Sequence, residues 1–174
     1  MYQQSVHKKG MNYFYPFCFF FLIMVCPFRE MAQQVPPFQL PGDITVDQST
    51  TILQKAKELA ESEKVLVNIA IVDAGANLKA FLRMDGSYLG SIDVAIQKAK
   101  TARYFNAPTG ELGKLSQPGG DIYHIEHSNG GLITFPGGIP IKDQQGVIIG
   151  AIGISGGKIE QDHRIASLAA ESIL

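Results

Sequence analysis

The densest chemistry in the sequence is His124-Ile125-Glu126-His127, two imidazoles and a carboxylate within four residues. Extended backbone would put His124 and Glu126 on one face and His127 on the other, so convergence on a zinc ion would need a bend. A porphyrin iron asks for less, because one axial imidazole in an apolar cavity suffices, and either histidine could supply it. The plain alternative is a pair of histidines hydrogen-bonded in a turn beside Ser128-Asn129. His163 falls on a predicted terminal helix, facing solvent. Arg83, close to Asp85, is either an ion-paired edge residue or a clamp for a ligand carboxylate. Gly156-Gly157 stands where a β-branched run passes into that last helix, where free N–H groups could receive an anionic group; paired glycines also serve as turns and close contacts. No Ser-His-Asp or Cys-His pattern marks an activated nucleophile. The glycines fail the dinucleotide spacing, and Gly157-Lys158 is followed by Ile159 where a P-loop needs Ser or Thr.

The elements that must position these groups are readable from periodicity and turn chemistry. Thr45 with Gln48 forms a capping box, and Ile52, Leu53, Ala56, Leu59 and Ala60 then share one helical face. Residues 65–72 are apolar on both faces, which predicts a central strand covered on both sides. Residues 73–77 are a turn, and 78–84 return as the second strand of a hairpin. Ser91 is expected to cap a second helix, whose stripe of Ile92, Ala95, Ile96, Ala99 and Ala102 is small enough for close packing. Pro108 ends it, and Thr109 is expected to cap a short third helix through Leu115. Residues 122–129 fit strand or loop. Runs at 132–135, 139–142 and 147–155 predict three further strands, and Ile165, Leu168, Ala169 and Ile173 line one face of the final helix. Hairpin connections predominate. The fold class is therefore α+β: an antiparallel five-stranded sheet with helices on both faces.

The chain has 174 residues, 45% hydrophobic and 18% charged, with 15 basic and 16 acidic side chains. That is enough chain for one core, and the near-neutral balance with no basic patch argues against nucleic acid as a partner. An apolar run at 14–26, preceded by His7, Lys8 and Lys9, has the layout of a secretory leader and falls short of the ~20 residues of a membrane span. Residues 1–32 are therefore expected to be a signal peptide or an unexpressed upstream segment. Residues 33–42 form a proline-rich lead-in and 43–174 the folded domain. Periplasmic or secreted localisation follows, with cytoplasm the alternative if Met31 is the true start. Both cysteines, Cys18 and Cys26, lie in the leader, so thiolate chemistry is excluded for the domain.

Several segments together resemble the GlcG/HbpS haem-binding family, which includes the C-terminal domain of PduO-type proteins. They are Val72-Asp73-Ala74-Gly75-Ala76-Asn77-Leu78, Arg83-Met84-Asp85-Gly86, Lys98-Ala99-Lys100-Thr101-Ala102, Asn106-Ala107-Pro108-Thr109-Gly110-Glu111-Leu112, Phe135-Pro136-Gly137-Gly138-Ile139-Pro140-Ile141, and residues 149–157 with Gln161-Asp162. They occur in order over about residues 43–174. The resemblance implies a profilin-like sandwich, homo-oligomers and, in several members, exported haem binding; it carries one site residue over, Thr109. The resulting expectation is a non-catalytic or accessory protein that binds haem or a related tetrapyrrole, with Thr109, His127, His124, Arg83, Gly156 and Gly157 as candidate contacts and a histidine as the iron ligand. The alternative is an enzyme or accessory subunit that binds a small carboxylate metabolite.

Overall fold

The computed structural model describes residues 42–174. The expected leader (1–32) and all of the proline-rich lead-in (33–42) except Gly42 lie outside the described residues. Helix α1 (Val46–Ser62) opens on the predicted box: the Gln48 N–H donates to Thr45 Oγ1 at 3.1 Å and the Thr45 N–H to Gln48 Oε1 at 2.9 Å. It leads to strands β1 (Asn68–Val72) and β2 (Leu78–Arg83), helices α2 (Ser91–Phe105) and α3 (Thr109–Leu115), and a 3-10 turn at Ile125–His127. Strands β3 (Gly138–Lys142) and β4 (Ile148–Ser155), helix α4 (Ile159–Ala170) and a 3-10 turn at Glu171–Ile173 complete the order.

The sheet runs β2-β1-β4-β3 with every neighbouring pair antiparallel. All five residues of β1 are buried, as its two-sided apolar sequence requires. Their alternation splits the core. Ile69 and Ile71 join Ile52, Ala56, Ile152, Ile154, Ile165 and Ala169 under α1 and α4, while Ala70 and Val72 meet Ala95, Ala99, Ala102 and Ala151 under α2. Each fully buried Ile contributes about 1.5–3 kcal/mol by leaving water. The second layer is built from small residues because α2 lies very close to the sheet. A Cβ on Gly153 would collide with the Ala95 carbonyl, and one on Gly138 with the Lys98 carbonyl.

Among the described residues the sheet has four strands, one fewer than expected. Residues 132–135 are not a strand because their donors go elsewhere: the Leu132 N–H to the Glu126 carbonyl at 3.0 Å, and the Ile133 N–H to Thr101 Oγ1 at 3.1 Å on α2. Two predicted caps also fail. Ser91 is already inside α2, whose preceding residue Gly90 is helical and uncapped by a side chain; the Ser91 and Ile92 N–H groups are taken by the carbonyls of Tyr88 and Leu89. Thr109 is the first residue of α3, following Pro108. Leu168, expected in the core, is exposed on α4.

Candidate functional site

The Thr109 side chain is fully buried and bridges two elements. Its hydroxyl donates to the Phe135 carbonyl at 2.8 Å and accepts the Gly138 N–H at 3.0 Å. It thus fastens the loop 135–138 and the start of β3 to α3, which explains why the polar oxygen can be buried at all. Directly beneath lies a pair that sequence reasoning missed. Lys98, on the sheet-facing side of α2, reaches past the start of β3 to Asp162 on α4, with Nζ 2.9 Å from Oδ2 and 2.8 Å from the Ile154 carbonyl. Both side chains are almost completely enclosed, at 0% and 4% exposure. The Phe135 ring covers the ammonium at 4.7 Å. Burial pushes the Lys98 pKa down, and the charge and hydrogen bond of Asp162 oppose that shift. Gly137 must be glycine for this passage: φ is +123°, and a Cβ would stand 2.6 Å from Lys98 Nζ. The available signal was Lys98's spacing from Ala95 and Ala102, which puts a charge on the buried face of α2.

Asp162 also engages the second glycine of the pair 156–157. The Gly157 N–H donates to its Oδ1 at 2.9 Å and the Lys158 N–H to Gln161 Oε1 at 3.1 Å, so these two donors ahead of α4 are taken by side chains of its own first turn. Gly156, at φ +141°, lies against the Leu66 backbone. Arg83 ends β2, is exposed and forms no ion pair among the described residues; its surroundings are Lys57, Glu61, Leu66 and Asp85. Arg83 and Thr109 are not brought together. The first sits on edge strand β2 and the second against edge strand β3, three inter-strand spacings or about 14 Å across the sheet.

The histidines ride on the excursion between α3 and β3. Its ends are tied by a polar chain in which the Thr134 hydroxyl donates to Glu126 Oε1 at 2.7 Å and Ser116 Oγ lies 3.2 Å from Thr134 Oγ1. Hydrogen bonds from Ser116 and Thr134 hold the Glu126 carboxyl below the usual carboxylate range. Glu126 is thereby turned inward while His124 and His127 stay exposed. The extended geometry considered for this segment is replaced by the 3-10 turn. Among the described residues no cluster of three or more His, Cys, Asp or Glu side chains could hold a metal ion.

A cleft of about 360 Å³ opens beside the 106–109 segment. Pro108, Ile139, Pro140, Ala170 and Leu174 give it an apolar lining, and Asn106, Lys142, His163, Ser167 and Glu171 bring polar groups to it. His163, exposed on α4 as expected, therefore faces a cavity rather than open solvent alone. The cleft volume lies within the range of small-molecule sites, and its composition of apolar walls with a few polar groups is typical of them. Lys142, on edge strand β3, was not singled out in the sequence because a charge at a strand end reads as ordinary surface.

Comparison with known proteins agrees with this architecture. A family model described as haem degrading protein HbpS-like matches residues 44–171. An uncharacterized 15.0 kDa protein from the dhaT-dhaS intergenic region of Citrobacter freundii is 34% identical over 131 residues, covering 71% of this chain and 92% of that protein. The corrinoid adenosyltransferase PduO of Salmonella typhimurium is 38% identical over 149 residues, covering 83% of this chain; the chain spans only 44% of PduO. Among solved structures, a PduOC:heme complex superposes with a TM-score of 0.71 at 36% identity, covering 75% of this chain and 95% of that one.

Proposed function

We infer from two facts, that the chain belongs to the HbpS-like family and that a cleft with apolar walls adjoins its 106–109 segment, that it binds haem or a related tetrapyrrole. The observation that carries this reading is the composition of the cleft. It combines an apolar lining for a macrocycle, an imidazole (His163) as an axial donor, and an ammonium (Lys142) to receive a propionate. These residue types are the ones that would hold the group, whose iron would supply ligand and redox chemistry when bound. Thr109 acts in this picture as a positioning residue: it fixes the loop 135–138 and the start of β3, the strand that forms one wall of the cleft. The heme complex of the related PduOC supports the same ligand class. We read the molecule further as a profilin-like homo-oligomer, exported if residues 1–32 act as a leader and cytoplasmic if Met31 is the start. The adenosyltransferase activity in the name of PduO belongs to a protein of more than twice the matched length and is not carried over.

Titration of the full chain with haemin tests the reading. A saturable Soret band at micromolar haem is expected, weakened at least tenfold in apparent affinity by His163→Ala and less by His124→Ala or His127→Ala. A loss confined to the latter two would move the iron ligand to the exposed turn. Absence of a saturable band, together with thermal stabilisation by small hydroxyacids, would decide for the small-carboxylate alternative, in which Lys142 and His163 would serve as the anion partners.

A further inference from the structure

Two exposed imidazoles stand side by side at the 3-10 turn, and we propose that His124 and His127 together bind a divalent transition metal of the zinc class, independently of haem. The objection to a metal site in the sequence was that extended backbone separates the two side chains. The turn removes it. His124 takes a left-handed conformation at φ +69°, a region that histidine enters more readily than most residues with a side chain. The His127 N–H donates to the His124 carbonyl at 3.1 Å, closing the turn. The ring centroids are then 5.3 Å apart with an interplanar angle of 39°.

That separation fits one shared ion. With a Zn–N bond of about 2.0–2.1 Å, the centre of a coordinated imidazole stands about 3.2 Å from the metal, so two of them at a tetrahedral angle are about 5.2 Å apart. The remaining positions would be filled by water, as in an open site. The turn is also held in place from behind. Glu126 is anchored inward by Thr134, the Ser128 hydroxyl donates to the Ile125 carbonyl at 2.7 Å, and the Tyr123 ring lies 3.8 Å from that of His124. Among the described residues, neither imidazole has a hydrogen-bond partner that a metal would have to displace. Imidazole donors suit zinc, copper and nickel over calcium or magnesium.

Zinc titration of the full chain without haem, by calorimetry, tests the proposal. One equivalent is expected to bind saturably, and His124→Asn or His127→Asn, each removing one of two ligands, should each weaken it at least about tenfold. Asn tolerates the left-handed conformation at position 124, so the turn is kept. On the unmodified chain, imidazole NMR signals of two of the four histidines should shift together on zinc addition, and they should be the two lost in these variants. No binding below about 1 mM, binding unchanged in the double variant, or shifts confined to other histidines would overturn the site. A failure of haem binding leaves this outcome untouched.

Discussion

The hydroxyl of Thr109 has both its donor and an acceptor position used within the protein, so its first effect is on the loop it holds. Thr109→Val keeps the shape but leaves the buried Gly138 N–H without a partner, which should cost about 1–3 kcal/mol in urea unfolding, and Thr109→Ser should recover most of it. A Val variant as stable as the parent would remove the positioning role. The sequence marked this threonine as a helix cap, since capping is a local pattern. Its actual partners lie 26 and 29 residues downstream, beyond any spacing rule. The same limit hid Asp162 as the counterion of Lys98, although the inward position of Lys98 on α2 was legible. His163 was correctly placed as exposed, but the cavity it faces is assembled from α4, β3 and the 106–109 segment, which only tertiary structure brings together.

At the scale of elements, local chemistry was the most legible. Both hairpins use the same device. Asp73 and Asp143 each accept two turn N–H groups through Oδ1, from Gly75 and Asn77 in the first and from Gln145 and Val147 in the second. The turns differ at the left-handed position, Gly146 in one (φ 82°) and Ala76 in the other (φ 62°). The missing fifth strand shows the opposite case, because Leu132-Ile133-Thr134-Phe135 satisfies strand propensity while Glu126 and Thr101 claim the backbone donors of Leu132 and Ile133. The end of α1 carries a further mismatch. Lys64 follows the C-cap Glu63 in the left-handed region at φ 56°, and the Val65 N–H closes back on the Ala60 carbonyl, an arrangement that favours glycine. Because Lys64 is exposed, Lys64→Gly should stabilise the fold by about 0.5–1 kcal/mol, relief of side-chain strain exceeding the added chain entropy. An unchanged or lowered denaturation midpoint would contradict this.

For the whole molecule, the layer order was readable from hairpins and amphipathic faces, whereas the link between the layers was not. Lys98 and Asp162 connect α2 on one side of the sheet to α4 on the other, past a glycine that leaves room for the ammonium. Lys98→Met strands a buried carboxylate and should cost about 3–5 kcal/mol; Lys98→Met with Asp162→Asn, which keeps an acceptor for Gly157, should be clearly less damaging than the single change. Additive losses in chemical denaturation would show the two residues to be independent. The order β2-β1-β4-β3 has one more consequence. Its central seam joins β1 to β4, and β2, α2, α3 and β3 all lie between them in the chain. A ribosome must therefore finish β4 before the first half can close its sheet, and α4 before Lys98 finds its counterion. Closure through contacts distant in sequence makes for slow folding and leaves the first half of the domain open until α4 emerges.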